Sequence, residues 1–113
     1  SVAKLKWFIV KNTWLHSIPH GWGNGYVALP ISHKYHGVNY DDIPVDVHGG
    51  LTFSEEITQE TIDSEVFYNM SSDDLGKWLV GFDTCHSNDT EHLWSKGHVI
   101  VETERLAEQL QNM

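Results

Sequence analysis

Two short stretches carry the side chains best suited to chemistry. In VDVHGGLTF, Asp46 and His48 stand two apart and run into Gly49 and Gly50. In GFDTCHSND, an apolar run ends in Asp83, with His86 and Asp89 following at intervals of three. Imidazole nitrogens and carboxylate oxygens suit zinc, manganese or iron, and three such ligands plus water make a hydrolytic centre. The same residue types also serve plain ends, since aspartate accepts turn hydrogen bonds and histidine bridges backbone carbonyls. No HExxH or paired CxxC spacing occurs, so a divalent metal and no cofactor at all both remain open.

A second chemistry is recognition without turnover. Tryptophan and histidine stack on purines, carboxylates accept from base amines, and glycine turns offer N–H groups to phosphate. The candidates are His16, His20 and Trp22, with Trp14, in the segment NTWLHSIPHGWGNG, then Tyr26 and Tyr40, and the Asp46–Gly50 and Asp83–His86 groups. The plainer reading puts Trp14 and Trp22 over the core beneath a loop. For an anionic ligand, Lys34, Lys77 or Lys96 must supply local positive potential. Nucleophilic catalysis has little support: no GxSxG elbow is present, and Cys85 and His86 are adjacent, pointing apart in a strand. No Walker or dinucleotide fingerprint appears.

The elements that must position these groups follow from pattern. Leu5–Val10 and Gly25–Pro30 read as strands, and Trp78–Asp83 as a buried one. Val45–His48 alternates with period two, predicting that Asp46 and His48 share a face. With Leu51–Ser54 it predicts a hairpin about the two glycines. The segment Ile31–Pro44 reads as irregular or a short helical turn. An acidic stretch, about 55–77, reads as a variable insert. From Gly97 onward, Val99, Thr103, Leu106 and Leu110 recur at helical spacing, with the charged Glu102, Glu104, Arg105 and Glu108 mostly on the other side. The expectation is an α+β fold: a small, mostly antiparallel sheet with a C-terminal helix packed on one face. If the two polar strand tips are neighbours, Asp46, His48, Asp83, His86 and Asp89 converge on one cleft.

Composition bounds the rest. A chain of 113 residues reads as a single domain, 1–113. Its formal net charge is −9, and no lysine or arginine falls between Tyr35 and Gly76. That argues against binding a nucleic-acid polymer, which needs a basic surface. No apolar run is long enough to span a membrane, and SVAKLKWFIV is too short and lysine-broken for a secretory signal. One cysteine, Cys85, excludes an internal disulfide and fits a reducing cytoplasm.

The segments GYVALPISHKYHGVNYDDIPVDVHGGLTFS, WLVGFDTCHSND and VIVETERLAEQL resemble a family of short bacteriophage proteins. The resemblance covers Gly25–Ser54 and Trp78–Leu110. By resemblance, Tyr26, His33, Gly37, Tyr40, Asp41, Asp46, His48, Gly49, Gly50, Asp83, His86 and Asp89 match the family's pattern, which adds His33 to the ligand-binding candidates. Lys34 stands where proline follows the histidine, and Cys85 where alanine is frequent. The phage setting implies, by analogy, an anti-defence protein in the cytoplasm of the infected bacterial host. Such a protein would sequester a small nucleotide-derived immune signal intact, as a sponge. Nanomolar capture means about −12 kcal/mol, which favours a homo-oligomer enclosing the ligand. The alternatives are a metal-dependent phosphoesterase acting on a nucleotide, and an acidic inhibitor that binds a host protein through Asp41–Asp74.

Overall fold

A computed structural model describes residues 4–12, 20–86 and 89–113. Trp14 and His16 lie outside the described residues.

Runs of aromatic and β-branched residues form the strands β1 (Lys6–Lys11), β2 (Gly23–Leu29), β3 (Phe53–Glu56) and β4 (Trp78–Phe82). They make one antiparallel sheet in the order β1-β2-β4-β3. The helix α2 (Lys96–Gln111) packs on one face, after the short helix α1 (Gln59–Asp63). This is the α+β architecture that the patterning predicts. No helix among the described residues is long and apolar enough to cross a membrane.

Alternation along the strands divides the apolar side chains between two layers. Val27, Leu29, Val80 and Phe82 meet Val99, Leu106 and Leu110 of α2. Each such fully buried side chain contributes about 1.5–3 kcal/mol, so the helix is held mainly by this stripe. Helix and sheet approach closely at Gly25, where a Cβ would lie 2.0 Å from Thr103 Oγ1. The buried Thr103 hydroxyl is satisfied within the helix, donating to the Val99 carbonyl at 2.7 Å.

The opposite face buries Phe8, Ala28, Ile57 and Leu79, with Tyr26, Phe53, Ile62, Phe67 and Met70 packed around them. Most of this cover comes from the acidic 55–77 stretch. Its charges face water while Ile57, Ile62, Phe67 and Met70 close the second layer, so it is a structural part of the globule. One of its acids, Asp74, is buried and pairs with Lys6 at 2.7 Å and Lys77 at 2.9 Å.

The expected hairpin about Gly49-Gly50 does not form. Its second arm is β3, but Val45–Val47 pairs with no strand among the described residues, and His48-Gly49 form a turn closed by Gly50 N–H to the Val47 carbonyl at 2.8 Å. The physical reason lies in the hydrogen-bond accounting. The Gln109 side chain takes both backbone groups of Asp46, accepting from N–H at 2.8 Å and donating to C=O at 2.7 Å. Glu102 accepts from the His48 N–H at 2.7 Å. The segment is extended because it lies along polar side chains of α2.

Candidate metal centre

Beyond β4 the chain turns sharply, and the turn builds half of the site. The buried Thr84 hydroxyl donates to the Gly23 carbonyl at 2.6 Å, tying the turn to β2. Asp89 folds back on His86: its Oδ2 accepts from the His86 N–H at 2.9 Å and meets His86 Nδ1 at 3.0 Å. The His48 turn supplies the other half, with Nε2 lying 2.9 Å from Asp89 Oδ1 and 3.0 Å from Oδ2. One carboxylate, with 5 % of its side chain exposed, thus receives two imidazoles, one of them from His48, 41 residues away.

Two local features permit this approach. Gly49 has φ +69°, and a Cβ there would stand 2.2 Å from His86 Cε1, so the second histidine packs directly on glycine backbone. Trp94 packs against His48 with ring centroids 4.1 Å apart and planes inclined by 32°. The segment His20–Trp22 braces this wall, with Trp22 N–H donating to the Trp94 carbonyl at 2.7 Å. A Cβ on Gly21 would collide with Thr84 and Trp94, so only glycine fits between them.

Burial alone would raise the Asp89 pKa, but hydrogen bonds from the His48 ring and from the His86 backbone and ring outweigh it and hold the carboxyl below its usual value. The anion is therefore compensated by ring and backbone N–H groups. A divalent cation can replace ring protons at such a position, because it binds neutral imidazole nitrogen and carboxylate oxygen together. His48, His86 and Asp89 each present a ligand atom, all within 4.8 Å of one another. Asp83 Oδ1 lies 3.5 Å from His86 Nε2, on the nitrogen that faces away from Asp89. If His86 ligates a metal through Nδ1, a carboxylate on the Nε2 side would orient the ring and raise its basicity. Two histidines and one carboxylate leave coordination positions for water and substrate.

The candidate residues divide clearly. His48, Gly49, Asp83 and His86 come together around Asp89. Trp22 borders the group through Trp94, whereas His20 Nδ1 bonds the neighbouring Gly21 carbonyl at 2.6 Å. Lys96 Nζ lies 5.5 Å from the Trp22 ring centroid, whereas Lys77 is engaged by Asp74. Asp46 does not join His48 on one face. Its side chain is 92 % exposed and lies 3.4 Å from Arg105, because the extended segment is not a paired strand. Gly50 is exposed at φ +79° and completes the turn without touching the site.

Tyr26, His33 and Tyr40 do not converge on the group. Tyr26 belongs to the second core, edge-on to Phe53 and Phe67, and burial raises its hydroxyl pKa. His33 Nε2 bonds the Leu110 carbonyl at 2.7 Å, at the far end of α2. Tyr40 opens a 3-10 turn, Tyr40–Asp42, and donates its N–H to Ser54 Oγ. Burial also pushes the Cys85 thiol pKa up, as does neighbouring Asp83, which disfavours the nucleophilic thiolate. Conversely, Trp94, Glu102 and Gln109 carry no motif, and only their long-range contacts reveal them. Comparison of the chain with family models, with curated proteins and with solved structures finds no match.

Proposed function

We propose that this chain is a divalent-metal protein that engages the phosphate of a small nucleotide-derived molecule. The metal would be held by His48, His86 and Asp89, and hydrolysis of a phosphate ester is the reading the geometry favours. A single observation carries it: a buried, ionised carboxylate bridges two imidazoles from distant segments, with a second carboxylate behind one of them. The surroundings are acidic, with Asp83 and Glu102 nearby, and an anionic substrate requires a cation between itself and those groups. An ion held by His48, His86 and Asp89 would supply that charge and, if zinc, would lower the pKa of coordinated water to about 7. Such a water, once deprotonated, would be the nucleophile for the phosphate ester, with the departing alcohol protonated from solvent.

Capture of an intact signal by a phage anti-defence protein is the second reading. It is favoured by the Trp94 ring packed on His48, with Lys96 over the Trp22 ring on the segment bonded to Trp94. One experiment separates the two. The protein is loaded in turn with zinc, manganese and iron(II), incubated with cyclic dinucleotides and cyclic ADP-ribose, then denatured and the released molecules weighed. Cleaved product that disappears with chelator supports hydrolysis, whereas intact ligand in stoichiometric amount supports capture. Absence of metal uptake and of ligand retention would remove both.

A further inference from the structure

The candidate ligands are not the whole of the arrangement, because His48 sits on a segment without strand partners among the described residues. Its course is set by a row of α2 side chains at Glu102, Arg105 and Gln109. These stand at helical spacings of three and four, and so on one face. Gln109 fixes the chain at Asp46 by gripping both of its backbone groups. Glu102 acts two residues later, at the residue whose ring must be aimed, by accepting from the His48 N–H at 2.7 Å. The Glu102 side chain is only 12 % exposed, and Arg105 holds it with Nε at 2.8 Å and a second nitrogen at 3.0 Å. Arg105 also reaches Asp46 at 3.4 Å, so the carboxylate is clamped before it meets the loop.

We infer that Glu102 is a positioning residue for His48, fixing the backbone from which the imidazole reaches Asp89; this rests on the metal-centre reading above. A glutamate engaged only with Arg105 would stabilise one helix face and leave the ring free to choose its direction. A carboxylate held by arginine and aimed at the His48 amide instead limits the turn that carries the ring. Supporting contacts of this kind set ligand geometry, and their loss weakens metal binding about 10–100-fold.

The test compares Glu102→Gln with Glu102→Met. The two side chains are close in length, but only glutamine retains an oxygen able to accept from the His48 N–H. Zinc affinity is measured by competition with a chelating dye, together with circular dichroism and nitrogen-15 spectra of the histidine rings without metal. The expected result is a native fold in both variants, affinity within a few-fold of wild type for glutamine, and a loss of about tenfold or more for methionine. The His48 ring in the methionine variant should lose the signature of an Nε2–H group bonded to carboxylate. Wild-type affinity and wild-type ring signals in Glu102→Met would overturn the inference. If the unaltered protein takes up no zinc, the metal-centre reading fails, and the ring signals alone still decide whether Glu102 aims His48.

Discussion

The imidazole of His86 rests on the backbone of Gly49, at a position where a single methyl group would stand 2.2 Å from Cε1. Gly50, its neighbour, also has positive φ, but among the described residues nothing lies within 4 Å of a Cβ built there. The pair provides an internal control. Gly50→Ala should lose about 1 kcal/mol, the cost of left-handed backbone with a side chain, and keep the His48–Asp89–His86 group. Gly49→Ala carries that cost and must also displace His86. Its loss of stability should be larger, and it alone should abolish metal uptake. Denaturant unfolding and zinc titration of the two variants check this, and equal behaviour would contradict the packing described.

Metal should stabilise the folded protein, because the ligands come together only on folding. At free metal about a hundred times Kd, the gain is about 2.7 kcal/mol. Thermal unfolding should shift upward by several degrees or more and return on addition of chelator. Asp89→Asn removes the shared anion and should show no such shift, as should His48→Ala. A metal-induced shift that survives both substitutions would place the ion elsewhere.

His33→Ala and Tyr26→Phe should leave metal affinity unchanged. The first loses the bond to the Leu110 carbonyl, about 1 kcal/mol, and should fray the end of α2. The second removes a hydroxyl from the second core. Altered zinc affinity in either variant would contradict their assignment as structural residues.

Acid sensitivity should be traceable to Asp74. Burial opposes its ionisation, but hydrogen bonds from Lys6 and Lys77 and from the Ser71 backbone outweigh this and depress its pKa. The folded value therefore lies below the unfolded one, near 4. The resulting stability is complete above the unfolded value and disappears as pH falls through the folded value. Asp74→Asn should remove this part of the acid limb. At neutral pH it should cost about 3 kcal/mol, the low end for loss of a buried partner, because Lys6 and Lys77 remain 35 % and 27 % exposed. Urea unfolding between pH 3 and 7 measures both effects. An unchanged acid limb would assign the sensitivity to another carboxylate.

Much of the scaffold could be read from local pattern. The aromatic and β-branched runs gave β1, β2 and β4 to within two residues at each end, and the spacing of Val99, Thr103, Leu106 and Leu110 marked the buried stripe of α2. At Val45–His48, period-two alternation reports extended backbone without revealing its hydrogen-bond partner. That partner is Gln109, 63 residues away, and Glu102, 54 residues away.

The site shows the same division. Adjacency of two polar tips suggested that His48 and His86 meet, but residue type could not separate them from Tyr26, His33 and Tyr40. Separation depends on register and packing. Tyr26 pairs with Gly81, whose missing side chain makes room for the tyrosine ring, and it becomes core. Likewise the acidic stretch concealed Ile57, Ile62, Phe67 and Met70, whose irregular spacing matches neither strand nor helix.

The dependence of the His48 turn on α2 has a temporal consequence. The helix follows every candidate ligand in chain order, so a growing polypeptide exposes its histidines and Asp89 to the cell before Glu102 and Gln109 have been synthesised. Until the helix docks, those donors are separate weak binders with no common geometry. Ion selection would then be made only once the helix has docked, under whatever metal concentrations prevail at that moment.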